Sequence, residues 1–115
     1  IPSAYEASEA VLATDSTAVF ASSDNIALGL LKRLHEMGKS IPSDISVVSY
    51  DNSAADVLFE PALTAIEQDP GVLAEHAFGC MSKRLAGRGG RRAEEVVLEP
   101  ALIVKGSVLE LTKHN

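Results

Sequence analysis

Two spacings of apolar residues organise this chain. Thr17-Ala18-Val19-Phe20-Ala21, residues 45–50 and Leu63-Thr64-Ala65-Ile66-Glu67 are short apolar runs rich in strand-forming residues. The first two lack clean in-and-out alternation, and all three are read as strands of a buried sheet. Between them the spacing changes to that of a helix. Ala27, Leu30, Leu31, Leu34 and Met37 fall on one face at the helical period, and Gly38 is the expected stop. Leu28 lies off that face, with Lys32 and His35. Asp69-Pro70 makes a cap and first-turn pair for a second helix running to about Leu85, with Leu73, Ala77, Cys80, Met81 and Leu85 on one face. Gly87, Gly89 and Gly90 end it. The Ser3-x-x-Glu6 spacing has the form of a capping box and predicts a short helix over residues 4–13. Residues 52–59 fit a helix of about two turns closed by Pro61. Residues 95–105 are β-prone again around Pro100, and the last ten residues are expected to fray.

Strands alternating with helices predict an α/β fold with a parallel sheet covered on both faces. In such sheets ligands bind beyond the carboxyl ends of the strands. Three polar clusters follow the predicted strands: Ser22-Ser23-Asp24, Tyr50-Asp51-Asn52 and Glu67-Gln68-Asp69. In a parallel sheet they share one edge. Asp51 would accept from hydroxyl or N–H groups there, Gln68 would donate and accept, and Tyr50 offers a flat face for stacking. The same residue types also cap helices. For Asp24 capping is the expected role, while for Asp51 capping and binding both stay open.

Composition narrows the function classes. The chain has 115 residues, 46% of them hydrophobic, which suits one domain with a core of its own. A formal charge of −6, from 16 acidic and 10 basic residues, is the wrong sign for gripping nucleic acid. One cysteine, Cys80, cannot form an internal disulfide, fits a reducing compartment, and is expected to be a buried structural thiol. His35, His76 and His114 lack metal-ligand spacing. No run reaches the roughly 18 apolar residues of a membrane span. No signal peptide is recognisable at the start. Position 1 is Ile rather than Met, so a piece of a longer chain is expected. Lys83, Arg84, Arg88, Arg91 and Arg92 are read as cations complementing a helix C-terminus rather than a phosphate site. No nucleophile motif, Walker loop or framed acid/base couple is present, so neither catalysis nor a cofactor is expected.

The stretch FASSDNIALGLLKRLHEMGKSIPSDISVVSYDNSAADVLFEPALTAIEQD, with Thr17-Ala18-Val19 before it, resembles the effector-binding core of the LacI/GalR family of transcriptional regulators. Thr17 to Phe20, Asp24, Ala27-Leu28-Gly29, Ile41-Pro42, Asp44 to Val48, Tyr50-Asp51 and Pro61 to Gln68 carry the likeness in the family's order. The resemblance implies the C-terminal lobe of a type I periplasmic-binding-protein-like fold, incomplete here. It assigns residues 1–69 to that lobe's core, 70–100 to a segment of the other lobe, and 101–115 to a return strand and tail. It places Ser23, Asp51 and Gln68 at ligand positions and Leu28 and Phe59 at a homodimer interface. Ser49 stands where the family has Gly, Ser23 where it often has Asn, Ala65 where it has Thr, and Lys105-Gly106-Ser107 where it often ends in Arg-x-Ser. The implied function is a cytoplasmic regulator's module for a small-molecule effector, a sugar or nucleoside-like compound. DNA would be bound by a helix-turn-helix domain outside this chain, and no membrane is involved. A fragment of a periplasmic sugar-binding protein is the alternative. Because the other lobe is missing, residues 70–105 are expected to repack on the chain's own sheet or to be shielded in a dimer.

Overall fold

The first helix, α1, spans Pro2–Leu12. In the computed structural model, residues 2–53, 60–88, 90 and 92–111 are described. Helix α1 starts two residues earlier than the capping-box reading predicts, so Ser3 lies within the helix rather than capping it. Pro2 suits a first turn because its ring presets φ and its missing N–H has no partner to lose there.

Strands β1 (Ala18–Phe20), β2 (Ser46–Tyr50) and β3 (Thr64–Glu67) follow, with helix α2 (Asp24–Glu36) between the first two. Helix α3 (Pro70–Leu85) and strand β4 (Ala101–Ile103) complete the order. The sheet runs β1-β2-β3-β4. β1 and β2 pair in parallel with Val19 beside Val47, and β2 and β3 pair in parallel with Ser49 beside Ala65. The predicted parallel α/β sheet is therefore present. Asn52 and Ser53 are not helical, and the rest of the helix expected over 52–59 lies outside the described residues.

The chain divides into two units, one of Ile1–Glu67 with Leu102–Asn115 and one of Gln68–Ala101. In the first, Ala21, Ala27, Leu30, Leu34, Ile45, Val47 and Leu63 form the core, with Leu12, Val19, Leu28, Leu31 and Ile41 packed against it. Ala27, Leu30 and Leu34 of the predicted face of α2 are thus buried and Leu31 partly so, while Leu28, read as lying off that face, also packs against the core. Met37 departs from the predicted face: it caps the helix C-terminus and is exposed, while Gly38 turns the chain at φ +68°, where a side chain would be strained. Helix α1 is held to α2 by Tyr5, whose ring lies 4.0 Å from the Arg33 guanidinium and whose hydroxyl donates to Glu36.

The expected fraying of the last ten residues does not hold for the start of that segment. Ser107 is fully buried. Its hydroxyl accepts from Thr64 N–H at 2.8 Å and donates to the Val47 carbonyl at 2.5 Å. Its carbonyl accepts from Val47 N–H at 3.0 Å, and Leu109 N–H donates to Ser46 Oγ. A polar residue late in the chain thus ties β2 to β3, which local spacing does not reveal.

In the second unit Asp69 caps α3 as predicted, accepting from Gly71 N–H at 2.9 Å. No residue of α3 is buried within this chain, so of the two covers expected for its apolar face only a second copy stays open. Cys80 is half-buried rather than enclosed.

Candidate functional site

Parallel pairing brings the carboxyl ends of β1, β2 and β3 to one edge of the sheet. Past β1, Ser23 is the N-cap of α2, with extended backbone and a side chain accepting from Ile26 N–H at 3.2 Å. That bond uses an oxygen lone pair and leaves the hydroxyl proton available to an acceptor. Ser23, not Asp24, is therefore the cap.

Asp24 does something the sequence reading missed. It is buried at the first turn of α2, and its carboxylate reaches the end of β2. Oδ1 accepts from the fully buried Ser49 hydroxyl at 2.7 Å. Oδ2 accepts from Ser53 N–H at 2.9 Å and from the Ser53 hydroxyl at 2.5 Å. Burial alone would push this carboxyl up. The hydrogen bonds from Ser53 and Ser49, with the charge of Lys105, outweigh it and hold the group below its ordinary value. Three donors converging on one carboxylate are the reason. The sequence did carry a signal: Ser49 follows the apolar pair Val47-Val48 in a buried strand, where its hydroxyl needs a partner.

Past β2, Tyr50 is half-buried and Asp51 is exposed. Asp51 and Asn52 adopt φ of 100° and 52°, a left-handed pair that costs on the order of 1–3 kcal/mol per residue and persists only where the surroundings enforce it. The surroundings do so. Asp51 N–H donates to the Ile66 carbonyl at 2.9 Å, extending the β2–β3 ladder. The Asn52 side-chain oxygen accepts from Lys105 Nζ. Among the described residues no hydrogen bond or ion pair occupies the Asp51 carboxylate. The edge therefore presents a carboxylate acceptor, a hydroxyl donor and a phenol ring, all carried on the first unit.

Gln68 is exposed and opens the second unit. There, with Asp69, Val72, Leu73 and residues 96–99, it lines a cavity of about 450 Å³. Leu28 is half-buried and lines a separate cavity of about 480 Å³ with Leu31, Lys32, His35 and Ile41. Phe59 lies outside the described residues. Among the described residues no group of three metal-ligating side chains is found, and no helix is long and apolar enough to cross a membrane.

Comparison with known proteins gives one consistent answer. Residues 1–108 match the periplasmic binding protein-like domain. The HTH-type transcriptional repressor PurR of Histophilus somni is 37% identical over 109 residues. That match covers 93% of this chain and 32% of the relative, so the chain spans about a third of that relative's length. A LacI family transcriptional regulator from Enterococcus faecalis V583 with bound ribose is 35% identical, with a TM-score of 0.86 over 95% of this chain and 40% of that one. A LacI family regulator from Arthrobacter in complex with lactose is 26% identical, with a TM-score of 0.82 over 91% of this chain and 40% of that one.

Proposed function

From the premise that the chain belongs to the periplasmic-binding-protein-like family, with LacI-family transcriptional repressors among its relatives, we propose that it is the effector-sensing part of such a regulator. The single observation that supports this reading is the edge shared by the parallel strand ends, with Ser23 following β1 and Tyr50 and Asp51 closing β2 at a turn held by hydrogen bonds. Asp51 would accept from adjacent hydroxyls of a sugar or a nucleoside's ribose. Ser23 would donate its remaining proton, and Tyr50 would stack on the ring face. Ribose and lactose in structural neighbours favour a polyhydroxylated effector. The protein works as a cytoplasmic binder, not a catalyst, and acts on DNA through a helix-turn-helix domain carried elsewhere.

Calorimetry with ribose, lactose and adenosine tests the site. Weak binding of at least one compound by the chain is expected, since part of the relatives' length is absent, and Asp51→Asn abolishes it. Binding of one compound that Asp51→Asn leaves untouched contradicts the assignment.

The same reading makes a second copy of the chain the cover for Leu28 on α2. Leu28→Glu is expected to convert a sedimenting dimer to monomer. A wild-type chain that stays monomeric at every concentration tested contradicts this.

A further inference from the structure

The turn after β2 is closed by a residue of another element. Ser49 is fixed inside β2, and Ser53 lies just past the turn. One carboxylate, that of Asp24, accepts from both: from Ser49 at 2.7 Å and from Ser53 N–H at 2.9 Å. The backbone from residue 49 to residue 53 is thereby pinned at both ends to a single side chain. Within that span the chain bends, and Asp51 and Asn52 lie in the left-handed region that non-glycine residues avoid. Lys105 on Asn52 and the Ile66 carbonyl on Asp51 N–H hold the middle of the turn.

We propose that Asp24 is the positioning residue of the ligand rim: by bridging Ser49 and Ser53 it sets the backbone of Asp51 and Asn52 and so fixes the direction of the Asp51 carboxylate. Asp24 touches no ligand in this scheme. Its action is preorganisation, since an Asp51 already aimed outward loses less freedom when a polyol binds. The proposal rests on the rim being the ligand site, but its first consequence is conformational and needs no ligand.

Asp24→Asn is nearly isosteric yet supplies one acceptor oxygen where the carboxylate supplies two, and its amide nitrogen cannot accept. The experiment measures the one-bond Cα–Hα couplings of Asp51 and Asn52, which report the sign of φ. The 115-residue chain is used as wild type, Asp24→Asn, Ser53→Ala and Ser53→Thr. The wild type is expected to show left-handed values at both residues. Asp24→Asn and Ser53→Ala move them toward averaged values while the amides of Val48 and Ile66 stay protected from hydrogen exchange, lowered by no more than the loss of global stability. Ser53→Thr, which retains the hydroxyl, restores the wild-type couplings. Should Asp24→Asn not fold, Ser53→Ala on the exposed side of the bridge carries the test alone. Unchanged couplings in the variants overturn the proposal, as does loss of sheet protection in step with the couplings, because Asp24 would then be only a structural support. Titration with ribose, lactose and adenosine is the separate arm. A weakening by about tenfold or more in Asp24→Asn, with Asp51 intact, supports positioning of a binding group. A wild type that binds none of the sugars defeats the rim assignment, while the couplings still decide what Asp24 does.

Discussion

Helices α2 and α3 carry similar apolar stripes and meet opposite fates. In the first unit Ala27, Leu30 and Leu34 of α2 are 0%, 3% and 1% exposed. In the second unit Leu73, Met81 and Leu85 of α3 are 52%, 60% and 81% exposed, and no residue of the helix is buried. The two helices also share good chemistry at their starts, with Ser23 and Asp69 each accepting from a first-turn N–H. Periodicity and capping thus specify a helix and the face that prefers cover. They do not specify whether the cover belongs to the same chain. The first unit provides its own, and the second leaves these apolar side chains exposed within the chain.

The largest expected effect sets those two helices against each other. Leu34→Ala should destabilise the chain by about 2–5 kcal/mol, because it opens a cavity in a close-packed core. Leu85→Ala should change stability by about 0.5 kcal/mol or less. Urea denaturation of both variants measures the difference. Equal losses would show that α3 is packed as α2 is.

Next in size is Asp24→Asn, expected to cost about 1.5–3 kcal/mol, since bonds to a charged acceptor are among the stronger ones. This carboxylate is more acidic in the folded chain than in the unfolded one. Its contribution is complete above the ordinary value of 3.8 and disappears as pH falls through the lower folded value. Chemical denaturation across that acid range should show a shallower decline for Asp24→Asn than for wild type. Parallel curves would remove Asp24 from the acid response.

A smaller loss, about 1–3 kcal/mol, is expected for Ser107→Ala, which strands the buried Thr64 N–H. Thermal melts compare it with Ser3→Ala on the exposed start of α1, where almost no change is expected. A neutral Ser107→Ala would mean that the segment after β4 is not tied to the sheet as described.

Much of the architecture was legible in the residues. The three parallel strands, the buried face of α2 and the cap of α3 all follow from spacing within about a dozen positions. That the ends of β1 and β2 share one edge follows once the strands are parallel. What escaped was contact at long range. Ser107 meets Val47 across 60 positions and Thr64 across 43, and Asp24 meets Ser49 and Ser53 across 25 and 29. No local period encodes such pairs. Asp24 also looked like a cap because its neighbour Ser23 is chemically equivalent for that task. The left-handed turn at Asp51 and Asn52 was hidden as well, because neither residue is the glycine that usually announces one.

The most direct test of the rim is an amide-shift map of the chain during titration with ribose. The account predicts perturbations centred on Ser23, Tyr50 and Asp51 of the first unit, saturating together, with Leu73 and Val97 of the second unit unmoved. Shifts centred on Leu73 and Val97 with a silent Asp51 would contradict it.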